Sequence, residues 1–214
     1  MFLTTTIGRR AGIAFYRRRR HRALLLRLAA QRRIERLKLL ARLPSGAVCL
    51  EIGTWRGDFA RWILATRRPK LLYLVDPWEH RSENAYERAR FGGRANDGQA
   101  EMDDMHRAVL HRFRKNIERG QVQVRRSRSA EAASSFAEET LDWVYIDGDH
   151  TYEGVMADLE AYYPAVKPGG YLAGDDYGHA GWWGDGVTRA VDEFAARGEL
   201  TIIGSQFLLR KPSP

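Results

Sequence analysis

The sequence predicts an α/β fold, doubly wound, with helices on both faces of a mostly parallel seven-stranded sheet. Short β-rich runs alternate with longer amphipathic stretches through most of the chain, and glycines or prolines separate them. The first run, 48–52, stops at a glycine turn and is followed by a helical stretch, the order found where parallel sheets bind ligands. A basic helical arm precedes this alternating region.

The individual elements follow from the local pattern of each segment. Apolar β-rich runs predict seven strands, at 48–52, 71–75, 121–125, 141–146, 171–173, 200–203 and 206–209. Helical spacing of apolar residues predicts five helices after the arm, at 58–67, 105–118, 130–137, 152–166 and 187–197. A tight turn around Gly204 joins the last two strands, so one of that pair is expected to run antiparallel.

The arm, residues 1–43, is distinct in charge from the main domain, residues 44–214. The arm holds thirteen arginine or lysine residues and one glutamate, whereas the remainder holds 22 basic and 26 acidic residues. The net charge of +8 therefore belongs to the arm, and it does not imply nucleic-acid binding by the main domain. A helix over about 22–43 is predicted, ended by Pro44. Its predicted apolar face consists of Leu24, Leu28, Ile34, Leu37 and Leu40.

The arm and the apolar runs also bear on partners and location. A basic amphipathic helix can contact nucleic acid or an anionic membrane, but it more often packs on its own domain or forms a homo-oligomer. The apolar run 23–30 contains Arg27 and is far shorter than the roughly 20 residues that span a bilayer, so a cytoplasmic protein is expected. The single cysteine, Cys49, lies in an apolar run and excludes an internal disulfide and a zinc site of several thiolates.

Two polar, glycine-containing segments are candidates for acceptor binding. Residues 78–104 interrupt the alternation of strands and helices, and long segments of this kind are commonly lids or binding loops. A later segment carries His179, Trp182 and Trp183. Exposed aromatic rings beside a site are suited to stacking on a sugar or an aromatic ring, so these three residues are predicted substrate contacts.

The turn after the first strand has the composition of a cofactor loop. It reads Glu-Ile-Gly-Thr-Trp-Arg-Gly from Glu51 to Gly57, and its glycines permit close approach of the backbone to a ligand. A glutamate before the first glycine suits a cationic or hydroxyl-bearing ligand better than a pyrophosphate. Asp76 ends the second strand, 25 residues after Glu51. An acid at this position of a doubly wound fold hydrogen-bonds a ribose diol.

Three aspartates follow the next pair of neighbouring strands. Asp147 comes directly after one strand, and Asp175 and Asp176 come after the other. Because the carboxyl ends of parallel strands meet at one edge, these carboxylates should converge with Glu51 and Asp76. Clustered carboxylates repel one another unless a cation joins them, and hard oxygen ligands select Mg²⁺, Ca²⁺ or Mn²⁺. A divalent-cation site is therefore predicted, with aspartates that only cap the next turn as the alternative.

Four motifs together carry a resemblance to a known family. They are Glu-Ile-Gly-Thr-Trp-Arg-Gly, Val-Asp-Pro-Trp, Ile-Asp-Gly-Asp-His-Thr-Tyr-Glu and Lys-Pro-Gly-Gly-Tyr-Leu-Ala-Gly-Asp-Asp-Tyr. The sequence resembles class I S-adenosylmethionine-dependent methyltransferases over about 47–194. It is most similar to the metal-dependent O-methyltransferases, including macrocin-type sugar enzymes and, more distantly, catechol O-methyltransferase. The resemblance implies a Rossmann-like methyltransferase fold, S-adenosylmethionine and Mg²⁺ (or another hard divalent cation) as cofactors, and a small-molecule hydroxyl acceptor.

The resemblance also implies roles for individual residues. The implied cofactor contacts are Glu51, Gly53, Thr54, Trp55, Gly57, Asp76, Ser129 and Asp147. The implied metal ligands are Asp147, Asp175 and Asp176. His150 stands three residues after Asp147, where the catechol enzymes place a lysine base, and histidine can do the same work.

The expected mechanism is metal-assisted O-methyl transfer. The cation would lower the pKa of the acceptor hydroxyl, and His150, with Asp147 beside it, would remove the proton. His179 is the rival base. Three alternatives are a metal-independent methyltransferase of the same fold, a carboxylate–metal hydrolase and a binding protein led by the arm. The hydrolase would leave Glu51 and Asp76 unexplained.

Overall fold

The structure, a computed structural model, describes residues 26, 28–81 and 98–213. The strands are β1 (Val48–Ile52), β2 (Leu71–Asp76), β3 (Val122–Arg126), β4 (Leu141–Ile146), β5 (Val166–Gly174), β6 (Glu199–Ile203) and β7 (Gln206–Arg210). The helices are α1 (28–42), α2 (Asp58–Arg67), α3 (Gly98–Glu118), α4 (Ser129–Ala133), α5 (Tyr152–Tyr162) and α6 (Gly186–Phe194). A 3₁₀ turn, Ala195–Arg197, follows α6.

The strands form one sheet in the order β3-β2-β1-β4-β5-β7-β6. All neighbouring pairs are parallel except those of β7, which is antiparallel to both β5 and β6. The order reverses between β1 and β4, and a ligand crevice opens at such a switch point beyond the carboxyl ends of the strands. The predicted doubly wound α/β fold, of the Rossmann-like methyltransferase kind, is confirmed, as is the antiparallel closing strand.

Strand register brings the predicted site residues to one edge of the sheet. Ile52, the last residue of β1, pairs with Val75 on β2 and with Ile146 on β4. Ile146 in turn pairs with Gly174, the last residue of β5. The residues that follow these positions therefore leave the sheet at the same level, although they are far apart in sequence.

Buried side chains form one apolar layer on each side of the sheet. Strand β4 contributes to both layers. Its Trp143 and Tyr145 belong to the cluster beneath α1, α2 and α3, while Val144 and Ile146 belong to the cluster beneath α5 and α6. Alternate side chains of a strand point to opposite faces, so a strand covered on both faces is apolar at nearly every position. Cys49 is fully buried in the first cluster, as its apolar context predicted.

Helix α1 packs on the main domain through a face that shares only Leu40 with the described part of the predicted one. Its buried apolar residues are Leu39, Leu40 and Leu43, which join the core. Three members of the predicted apolar face are exposed, namely Leu28 (49%), Ile34 (52%) and Leu37 (44%). Leu24 lies outside the described residues. The prediction was right for Leu40 and wrong for the three exposed residues, because the buried side of α1 is half charged and the position of the leucines alone does not define it.

The segment 78–104, predicted to be an insertion, is shorter in the structure. Its first residue, Trp78, is buried in the core, and α3 already begins at Gly98. Residues 82–97 lie outside the described part, so a lid over the acceptor stays a prediction. Contacts of the arm with a second subunit, nucleic acid or a membrane also stay predictions. In the part of the chain that the structure describes, no helix has the length and apolar character needed to cross a bilayer.

Candidate functional site

A cavity of about 550 Å³ opens at the switch point of the sheet. Its wall contains the following predicted cofactor contacts: Glu51, Gly53, Thr54, Trp55, Asp76, Ser129 and Asp147. Ligand pockets in proteins commonly have volumes of roughly 300–1,000 Å³, so this one can hold a nucleoside-sized cofactor. Residues from four parts of the chain therefore converge where the sequence predicted.

Glu51 is a buried acid with an unused acceptor atom. It is 2% exposed, and its Oε2 has no hydrogen-bond partner among the described residues. Burial, reinforced by the nearby Asp147, raises the pKa of Glu51 well above its usual value. Leaving a buried polar atom unpaired is costly, so Glu51 points to a cationic or hydrogen-bonding group of a ligand in the cavity.

The glycines of the loop after β1 are explained by packing inside the domain. Gly53 has φ +82°, and a Cβ there would lie 2.0 Å from the carbonyl oxygen of Asp147. Gly57 has φ +72°, and a Cβ there would lie 2.6 Å from the ring of Phe113. The sequence analysis explained these glycines by the approach of a ligand. The structure adds a second reason, because no side chain at Gly53 or Gly57 would fit between the loop and its neighbours.

Asp76 is held in place by the backbone of two tryptophans. Its carboxylate oxygens accept hydrogen bonds from the backbone N–H groups of Trp55 (2.8 Å) and Trp78 (2.7 Å). The indole N–H of Trp78 also donates to the carbonyl of Trp55 (2.9 Å), which fixes the loop against β2. Burial raises the pKa of Asp76 to about 6 in spite of these donors. Each carboxylate oxygen keeps a further lone pair that a ribose hydroxyl could use.

Ser129 lies on the cavity wall at the start of α4, next to an acid that the sequence analysis missed. This acid is Asp158 of α5, which is 3% exposed and accepts a hydrogen bond from the Ser129 side chain. Burial raises the pKa of Asp158 to about 7. Asp158 occupies the same helical stripe as the buried Val155, Leu159 and Tyr162, and this spacing was the available signal.

His150 joins two of the predicted metal ligands. Its Nε2 lies 3.0 Å from Asp176 Oδ2 and 3.4 Å from Asp147 Oδ1. Burial alone would lower the pKa of His150, but the hydrogen bonds to both carboxylates outweigh burial and raise it to about 10. In this arrangement the imidazole is protonated at neutral pH. It must lose that proton before it can act as the base.

Two arginines of α1 occupy the same carboxylate cluster. Arg36 Nη2 lies 2.8 Å from Asp147 Oδ2, and Arg36 Nε donates to Asp175 Oδ2 at 3.0 Å. Arg32 Nη2 lies 2.9 Å from Asp176 Oδ1. The prediction of a divalent-cation site at these carboxylates overlooked both guanidinium groups. Their signal was positional: Arg32 and Arg36 are one helical turn apart, and Leu40 and Leu43 continue the same buried side.

A divalent cation fits the predicted triad poorly. The side chain of Asp175 is fully buried, and its oxygens accept hydrogen bonds from Arg36, Ser205, Gln206 and the backbone of Asp176. The atoms that do come within 4.8 Å of one another belong to Asp147, His150 and Asp176. Among the described residues, the one group with the spacing of metal ligands therefore contains His150 and not Asp175. The guanidinium groups of Arg32 and Arg36 lie beside that group.

The predicted substrate residues lie beside the cluster and not on the cavity wall. Trp183 stacks on the His150 ring at 4.7 Å between centroids and 29° between planes, and Trp182 meets Trp183 edge-on. His179 is exposed, with Nδ1 3.3 Å from the Tyr177 carbonyl. In the described part, the cavity wall includes His150 but none of these three residues. Trp183 therefore contacts the cluster directly through its ring.

Comparisons with known proteins agree with the observed fold, and the matched region includes the loop after β1. A family model described as a methyltransferase domain matches residues 50–177. The N-methyltransferase NodS of Bradyrhizobium japonicum has a similar structure, with a TM-score of 0.57, 12% identity and coverage of 86% of this chain and 98% of NodS. The O-methyltransferase NovP follows with a TM-score of 0.50 and 22% identity, over 87% of this chain and 79% of NovP.

Two further similarities carry no stated activity. A Corynebacterium glutamicum protein has a TM-score of 0.54 and 16% identity, over 85% of this chain and 81% of its own. An uncharacterised protein of Acanthamoeba polyphaga mimivirus is 45% identical over 56 residues. These residues are 26% of this chain and a quarter of the viral protein, so the match concerns only a segment of each.

Proposed function

We propose that this chain, which belongs to the methyltransferase domain family, transfers the methyl group of S-adenosylmethionine to a hydroxyl of a small molecule. The chain is a class I S-adenosylmethionine-dependent methyltransferase by its family model and its sheet order. The hydroxyl acceptor is our proposal. The observation that carries it is the buried acid–histidine cluster on the cavity wall, formed by Asp147, His150 and Asp176.

The cofactor would be held by acids at two positions of the cavity. Glu51 would receive the ammonium group of the amino-acid end, which gives its unpaired Oε2 a partner. Asp76 would accept hydrogen bonds from the ribose hydroxyls, and Ser129 would border the adenine. When bound, the cofactor supplies a methyl group already activated on a sulfonium, so the chain has to supply an aligned nucleophile.

The acid–histidine cluster would handle the proton of the acceptor. An alcohol is a weak nucleophile at neutral pH, and its attack requires that its proton be removed. Neutral His150 would accept the proton, and Asp147 and Asp176, which lie near its Nε2, would stabilise the imidazolium that forms. Trp183, stacked on the ring, would keep the imidazole in this plane.

The test is methyl transfer to matched acceptors. Purified chain would be incubated with isotopically labelled S-adenosylmethionine and pairs of compounds that differ only by a hydroxyl in place of an amine, covering sugars and catechols. We expect labelled product from hydroxyl members, with loss of transfer in Asp147→Ala. Asp104→Asn, which changes an exposed aspartate of α3, should transfer normally. Labelling of the amine members alone would refute O-methylation, while binding of the cofactor would still be measurable.

A further inference from the structure

We infer that Arg36 provides the fixed positive charge of the carboxylate cluster, in the role that a divalent cation would otherwise have, and that this chain works without a metal. The part of the inference that concerns turnover rests on the proposed function. The part that concerns metal binding rests only on the contacts around Arg36.

The guanidinium of Arg36 bridges two strand ends. It contacts Asp147, which follows β4, through Nη2, and Asp175, which follows β5, through both Nε and Nη2. Its side chain is only 25% exposed, and its charge lies 5.3 Å from the centre of the Phe59 ring. A guanidinium is always charged in proteins, so Arg36 is cationic here.

The hydrogen bonds of Asp175 leave no position for a metal ligand. Oδ1 accepts from the backbone N–H of Asp176 (2.8 Å), from Ser205 Oγ (3.0 Å) and from Gln206 Nε2. Oδ2 accepts from Arg36 through two nitrogens. A carboxylate offers about four lone-pair positions, and these contacts account for them.

Internal cations also offset most of the negative charge without an added ion. Asp147, Asp175 and Asp176 contribute three negative charges, and Arg36 and Arg32 contribute two positive ones at contact distance. A divalent cation placed between Asp147 and Asp176 would lie beside the guanidinium groups of Arg36 and Arg32. Repulsion between like charges at this range is strong where water is excluded.

Arg36 is anchored by its own helix. Leu39, Leu40 and Leu43, which lie one to two turns further along α1, are each no more than 2% exposed. These buried leucines fix the position of α1 on the domain, and with it the backbone of Arg36 beside the cluster. Arg36 is thus a positioning residue: it holds the Asp147 carboxylate that contacts His150.

The first experiment measures metal binding independently of activity. Full-length chain, stripped with a chelator, would be titrated with Mn²⁺ and followed by electron paramagnetic resonance. We expect the Mn²⁺ signal to stay that of the free ion at all protein concentrations used. Methyl transfer, measured separately, should be equal in EDTA and in excess Mg²⁺. Stoichiometric Mn²⁺ binding, or turnover lost in EDTA and restored by Mg²⁺, would overturn the inference.

The second experiment tests the residue itself. Arg36→Met keeps the length of the side chain and removes its charge, and Arg36→Lys restores a charge without the bridging geometry. Misplacement of a reacting group can reduce turnover roughly 100-fold, and we expect a loss of this order in kcat for Arg36→Met, with unchanged affinity for S-adenosylmethionine and partial recovery in Arg36→Lys. Arg33→Met, at an arginine near Trp62, is the matched control. Unchanged kcat in Arg36→Met would refute the positioning role. If that variant fails to fold, the Mn²⁺ titration of the unmodified chain still decides.

Discussion

The raised pKa of the buried Asp158 predicts how the free energy of unfolding changes with pH. Its pKa is raised to about 7 by burial, whereas in the unfolded chain an aspartate loses its proton near 3.8. Between these values the folded chain holds a proton that the unfolded chain has released, so stability falls as pH rises from about 4 to about 7. A rise of about three pKa units corresponds to roughly 4 kcal/mol, which is the stability that Asp158 removes at alkaline pH.

Asp158→Asn should abolish that part of the pH dependence. The amide keeps the shape of the side chain and never ionises, so the variant should gain stability relative to the unmodified chain as pH rises from 4.5 to 8.5, by up to about 4 kcal/mol. Urea unfolding at several pH values gives this difference directly, and any constant cost of the amide cancels in the comparison. Asp104→Asn, at a largely exposed aspartate, is the control and should show no such trend. A pH-independent difference for Asp158→Asn would refute the reasoning.

Three further predictions follow from the loop, the arm helix and the acid–histidine cluster. Gly53→Ala places a Cβ 2.0 Å from the Asp147 carbonyl at positive φ, and chemical unfolding should show a loss of roughly 3 kcal/mol or more. Leu40→Ala should cost roughly 2–5 kcal/mol in the same assay, whereas the exposed Leu37→Ala should change stability by less than about 0.5 kcal/mol; equal effects would contradict the packing of α1. If neutral His150 is the base, kcat/KM should rise with pH towards about 10, and a profile that is flat above pH 7 would exclude it.

The fold and the cofactor side of the cavity could be predicted from the sequence because local patterns determine them. Strand 141–146 is apolar at nearly every position, which is what burial on both faces of a sheet requires. Glu51 and Asp76 follow strands that are adjacent in the sheet, so the rule that ligands bind at strand ends was enough to place them together.

The charge balance of the cluster could not be predicted in the same way. Arg36 lies 111 residues from Asp147 in sequence, and a basic helix with exposed leucines has the pattern of a surface element. The side of α1 that packs on the domain combines Arg32 and Arg36 with Leu40, so it has no continuous apolar stripe. Which cation joins clustered aspartates depends on tertiary contacts, and the strand-end pattern contains no information about them.

The most direct test of the central claim is a calorimetric titration of S-adenosylmethionine in two buffers of different ionisation enthalpy. Burial raises the pKa of Glu51, and pairing with the ammonium of the cofactor should lower it, so cofactor binding should release protons to the buffer. We expect one-to-one binding with a buffer-dependent heat, and weaker binding without proton release in Glu51→Gln. Absence of binding to the unmodified chain would contradict the account, and binding unaffected by Glu51→Gln would contradict the role of Glu51.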